Sequence, residues 1–282
     1  MASQKDNDLI LEGLQPTFYK MDNYHEKLPS NTILQKYVSC FYEIMTYNQH
    51  FHSIPVVPDG CMDIIFIINN DDIHSYVLRT AQTLLGMDIH ENRYVLGIRF
   101  KPVGISKFIR FSSADNDTYM IPLCEYLHAD ALSVHKLFEL SSFEHKCDFL
   151  ENILLKNIGQ DTSSTTLTFD IANYIIANKG IITIDQLSSE YYYSQRYINR
   201  LFNNNVGISP KHFCEIIQLQ NVLSYLTSSD DKIAAVAAHT GFYDQSHMNH
   251  VIKKLLHTTS TKLRTNPYLD EVRDKLDIKY IY

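Results

Sequence analysis

The segment "SQRYINRLFNNNVG", residues 194–207, returns in altered form fifty residues later as "DQSHMNHVIKKLLH", residues 244–257. At that offset Ile198 falls on Met248, Leu201 on Val251, Phe202 on Ile252 and Phe213 on Leu263. Upstream the offset is 49, matching Ile184 with Ile233 and Leu187 with Val236. Apolar residues at three- and four-residue spacings mark one buried face of a helix. A recurring short helix, tight turn and second helix is one supersecondary unit present twice. The boundaries carry chemistry that fits: Thr183, Ser194, Ser209 and Asp244 are N-cap residues, Pro210 suits a first helical position, and Gly180, Gly207 and Gly241 are stop signals. The helix between the copies, roughly 210–226, is a rod of about 25 Å at ~1.5 Å per residue.

If Ile198, Leu201 and Phe202, and Met248, Val251 and Ile252, hold each second helix to a core, the opposite faces are polar. The first displays Gln195, Arg196, Asn199 and Arg200, the second Gln245, Ser246, Asn249 and His250. Arg bonds guanine bidentately and Asn or Gln bonds adenine, so both faces suit a DNA major groove. Ser194 and His247 complete the DNA-binding candidates. Lys253 and Lys254, one turn further on, suit phosphate contacts that orient without specifying. A rod of that length sets the two helices near one DNA turn apart, about 34 Å.

The net charge of −7 excludes a uniformly basic chain. Residues 1–164 carry 13 Lys and Arg against 21 Asp and Glu, a balance of −8, whereas the remaining 12 and 11 leave 165–282 at +1. A basic face therefore has room in the second half. No apolar run is long enough to span a bilayer. The opening residues lack a secretory pattern, and the five cysteines form no C-x-x-C pair, so a cytoplasmic chain with reduced thiols is expected.

The first part reads differently. "PVVPDGCMDIIFII" and "RYVLGIRFKP" are strand-like over about 50–103, with Pro58-Asp59-Gly60 as a hairpin turn signal. Phe143, Cys147, Leu150, Leu154 and Ile158 then make a helix with one apolar face, a candidate surface for homodimerisation. The expected fold is α+β. A β-rich, barrel-like regulatory domain with helical dimerisation elements occupies 1–158, and the Gly/Ser/Thr-rich run 159–166 is a linker. An all-α DNA-binding domain with two helix-turn-helix units spans 167–267, followed by a tail at 268–282 that reads as an amphipathic helix.

The last ~100 residues resemble the DNA-binding domain of AraC/XylS-type transcription regulators. The resemblance rests on "SQRYINRLFNNNVGISPKHF" and "IAAVAAHTGFYDQSHMNHVIKK", where Ala237, Gly241, Phe242, Gln245 and Ser246 stand in the family's signature region. It implies a seven-helix domain controlling promoters, with base contacts at Arg196, Asn199, Arg200, Gln245, Ser246, Asn249 and His250. The chain departs from the pattern at Tyr192, where a small turn residue is usual, at His257 and Ser260, where Gly and Pro are, and at His250, where Arg is common. "VPDGCMDIIF" and "LGIRFKPVG" resemble the β-domain that precedes the helices in a subset of these regulators, which implies a sensory role over about 30–140.

The implied partners are double-stranded promoter or operator DNA, RNA polymerase, a small-molecule effector and a second copy of the chain, with no membrane. Asp63 and Arg99 are the candidates for meeting a polar effector. No G-x-S-x-G, P-loop, G-x-G-x-x-G or H-E-x-x-H is present, so no catalytic residue, cofactor or metal is assigned and the chain is not read as an enzyme. The alternative is a metal- or ligand-dependent enzyme of cupin-like fold fused to a helical bundle. His50 with His52, or His247 with His250, would start a metal site, but neither pair has an acid or cysteine at ligand spacing.

Overall fold

The computed structural model describes residues 14–17, 23–45, 53–69, 72–88, 93–111, 119–126, 131–160, 162–266 and 278–279. Its sheet-forming part explains the uninterrupted apolar run "IIFII" at 64–68. That run lies in β4 (Met62–Asn69), which is flanked by β5 (Asp72–Leu78) and β7 (Arg93–Phe100) in a six-stranded sheet of order β1-β2-β7-β4-β5-β8. The remaining strands are β1 (Tyr24–Lys27), β2 (Val38–Met45) and β8 (Met120–Pro122). A smaller sheet has the order β3-β6-β9, from β3 (Ser53–Val56), β6 (Leu85–Asp88) and β9 (Ile278–Lys279).

Successive strand residues point to opposite faces, and both faces of the large sheet are covered. Ile65, Ile67, Tyr42, Ile44 and Val95 meet Ile54 and Met87 of the small sheet. Ile64, Phe66, Leu96 and Ile98 meet Leu137 of α1 (Ala131–Glu139) and Cys147, Leu150 and Leu154 of α2 (Phe143–Lys156). A sheet buried on both faces needs apolar residues at every position rather than alternation.

Three expectations change here. The apolar face of α2 is spent on this sheet, so it is not a surface for a second copy. Pro58-Asp59-Gly60 is no hairpin: it carries the chain from one sheet to the other, because β3 pairs with β6 while β4 pairs with β5 and β7. The linker run is also shorter than expected. Thr162 caps α3 (Ser163–Ala177) in a reciprocal box with Thr165, so 163–166 form the first turn of a helix. His50 and His52 lie outside the described residues, as does most of the tail.

After α3 come α4 (Ile184–Tyr191), α5 (Gln195–Asn205), α6 (Pro210–Ser228), α7 (Ile233–His239), α8 (Gln245–Leu256) and α9 (Ser260–Thr265). The apolar set of the repeat is buried in one core: Leu187, Ile198, Phe202, Phe213, Val236, Met248, Val251, Ile252 and Leu263. The change of offset from 49 to 50 falls within the turns. Tyr192 (φ 57°) and Gly241 (φ 79°) occupy the same left-handed position, yet the N-cap follows two residues later in the first copy and three in the second. His257, where the resemblance implies Gly, adopts a left-handed φ of 56°.

This helical core includes Val57, Leu84 and Val103 of the sheet-forming part. Leu84 N donates to Leu255 O (2.7 Å), Gln220 Nε2 to Pro58 O (2.8 Å) and Leu14 N to Gln220 Oε1 (2.6 Å). Gly60 lies so close to Phe213 that a Cβ would sit 2.7 Å from the ring, and one on Gly207 would strike the Arg79 guanidinium. The two parts are therefore packed together, with contacts from both α6 and α8.

Candidate DNA interface

Each recognition helix starts from a side-chain cap. Ser194 Oγ accepts from Tyr197 N (3.3 Å), and Asp244 Oδ1 accepts from His247 N (2.7 Å). These bonds satisfy one of the orphan amides of the first turn and give Ser194 a structural duty beside any DNA contact. Beyond the caps, Gln195, Arg196, Arg200, Gln245, Ser246, His247, His250 and Lys253 are exposed, while the intervening apolar residues are buried.

The exposed groups are not equally free. The Arg200 guanidinium lies over the Tyr197 ring (5.1 Å), which stacks on Tyr193 (4.9 Å), so this cation is braced on an aromatic ladder. Gln195 Nε2 donates to Asp185 of α4, and a bidentate adenine contact would require it to let go. Asn199 Nδ2 donates back to Gln195 O (2.9 Å).

Asn249 departs furthest from the expectation. It is half-buried, and its Oδ1 accepts from both Ser260 N (3.0 Å) and Ser260 Oγ (2.8 Å), tying α8 to α9. Lys254 departs too, because its Nζ donates to Glu215 Oε2 of α6 (2.6 Å). Bonds from His212 and then Lys254 hold the Glu215 carboxyl down at about 2. His212 also reaches Gln82 O (2.9 Å) in the sheet-forming part, so one chain of contacts runs from there through α6 to α8.

Asp63 and Arg99 stand opposite each other on β4 and β7, inside the sheet-forming part. Arg99 forms a buried ion pair with Asp59, which also accepts from Gln15 Nε2 (2.8 Å). Asp63 keeps one shielded oxygen without a partner, and burial pushes its carboxyl up to about 7. Neither residue lines the cavities at the seam of the two parts, and the Arg99–Asp59 pair ties the 57–60 segment to β7.

Of those seam cavities, one of about 320 Å³ is lined by Lys36, Tyr37, Lys101, Val103, Lys107 and Phe169, and among the described residues no carboxylate lies on its wall. Val103 has φ 66°, rare for a β-branched residue. Sequence reasoning missed these residues, because they meet only when the 34–37 and 101–107 segments pack on α3.

Residues 187–266 match the family described as Helix-turn-helix domain, and residues 25–119 match Domain of unknown function (DUF6597). No curated protein matches the chain. Among solved structures it is similar to ToxT from Vibrio cholerae. The apo form of a single-residue variant from strain SCE256 shares 11% identity at a TM-score of 0.43, covering 80% of this chain and 97% of that one. ToxT from Vibrio cholerae O395 shares 11% at 0.40, with 88% and 97% covered. Wild-type ToxT from strain SCE256 with an unsaturated fatty acid bound shares 10% at 0.37, with 86% and 93% covered.

Two capped helix-turn-helix units with outward polar faces define a DNA-binding protein. With the match over 187–266, that part of the chain is a helix-turn-helix domain, and a β-rich N-terminal part precedes it.

Proposed function

We propose that α5 and α8 enter two successive major grooves of one duplex, with Arg196, Arg200, Gln245, Ser246 and His250 at base edges and Lys253 at the backbone. The supporting observation is that both helices expose their polar residues while the same core buries their apolar ones. The rod between them, α6, has 19 residues, about 28 Å at ~1.5 Å per residue. Two helices on one stiff support suit contacts on the same side of DNA, about one turn apart.

In this reading residues up to about 158 regulate and those beyond about 162 bind DNA. A small organic anion is the effector class that suits the lysine-lined seam cavity, since it would touch both parts and bias their packing. RNA polymerase is the partner through which occupancy alters transcription. Among the described residues the cysteines form no disulfide, and Cys40, Cys61, Cys147 and Cys214 are buried, which suits a cytoplasmic chain.

Selection of bound fragments from genomic DNA by the purified full chain tests the groove reading. The expected product is an enriched site with two sequence blocks centred about 10–11 base pairs apart. A single block, or no enrichment, would overturn it.

A further inference from the structure

The two turns ahead of the recognition helices share an unused feature. Tyr192 is 93% exposed and Tyr243 is 94% exposed. A tyrosine normally keeps its ring against apolar neighbours and leaves only its hydroxyl wet. The neighbouring Tyr193 follows that rule, stacking on Tyr197 at 44% exposure. Openness is therefore no general property of these turns.

The two tyrosines reach similar places by different routes. Tyr192 occupies the left-handed position of the first turn, which an L side chain disfavours and which the second turn gives to Gly241. Tyr243 directly precedes the N-cap Asp244, in the turn that is one residue longer. One unpacked phenol thus stands within two residues of each recognition-helix N-cap. At Tyr192 it persists at a cost in backbone conformation, a pattern associated with functional positions.

We propose that Tyr192 and Tyr243 are DNA-backbone contacts, one in each helix-turn-helix, donating their phenolic O–H to phosphate oxygens where α5 and α8 enter their grooves. This rests on the groove reading above. The free N–H groups at a helix N-terminus draw phosphate to the same end, and a neutral hydroxyl beside them adds a directional bond without a charge. Such contacts fix register on the duplex and carry no sequence information.

The test uses the full chain on its selected operator and on an unrelated duplex across a salt series. Tyr192→Phe and Tyr243→Phe should each bind both duplexes about 5-fold more weakly. The slope of log affinity against log salt should not change, because a neutral donor releases no counterion. Tyr192→Gly removes both ring and strain, so binding should weaken further while the melting temperature holds or rises. Wild-type affinity in the Phe variants, a loss confined to the operator, or a Tyr192→Gly chain that melts lower in step with its binding would each overturn the proposal. Failure of the unsubstituted chain to bind any duplex would sink the groove reading instead.

Discussion

Asn199 and Asn249 occupy the same position in the two copies of the repeat, fifty residues apart, and the structure uses them differently. Among the described residues Asn199 bonds to the backbone of its own helix, one turn back, at Gln195 O. Asn249 accepts two bonds from the buried Ser260 and fastens α9 to α8. The copies differ elsewhere in the same spirit. The first braces Arg200 on Tyr197, while the second sets His250 in that place with Lys253 and Lys254 behind it. A repeat preserves the buried face because the core demands it; its outward face is free to divide the work.

The largest expected effect tests that division directly. Asn249→Ala leaves the amide and hydroxyl of Ser260 without their acceptor, a loss of about 2–3 kcal/mol in unfolding free energy. Asn199→Ala should cost under about 0.5 kcal/mol. Urea unfolding of both variants measures the contrast, and equal losses would show that the two asparagines do the same thing.

Next in size is base reading. Arg200→Ala should weaken operator binding by about 2 kcal/mol, since a braced guanidinium loses little freedom on contact. Gln245→Ala should cost about 1 kcal/mol. Competition between the operator and singly substituted duplexes assigns each loss to a base pair, and a larger effect at Gln245 would reverse the ranking of the two helices.

The smallest effect separates adjacent lysines. Lys253→Met should reduce the salt slope by about one phosphate's worth, leaving sequence preference intact. Lys254→Met should leave the slope unchanged, because its ammonium serves Glu215. That carboxyl is held below its ordinary range, so its stabilisation is present above about pH 4.5 and is lost as pH falls toward about 2. Lys254→Met should therefore lower stability at pH 7 by about 1 kcal/mol and lessen the loss between pH 5 and pH 3. Acid titration of unfolding in the two variants distinguishes the roles.

Much of the helical part is legible in the sequence. The caps Thr183, Ser194, Ser209 and Asp244 all accept from a backbone amide three residues on, because capping depends on neighbours along the chain. The slip from 49 to 50 was legible as well, since an inserted residue shifts every later apolar position. In the sheet-forming part, β2 escaped detection: "VSCFYEIM" alternates no polarity, being covered on both sides.

Local chemistry and periodicity along the chain thus determined the duplicated unit, its boundaries and the inward face of each helix. Which outward groups remain available was decided only by tertiary packing. Asp185 on Gln195, Ser260 on Asn249 and Glu215 on Lys254 are partners 10, 11 and 39 residues away. The same holds for the seam, where Arg99 pairs with Asp59 and Gln220 of α6 donates to Pro58 O. A hydrogen bond between distant residues leaves no spacing in the sequence, so it becomes visible only when the elements that carry it are brought together.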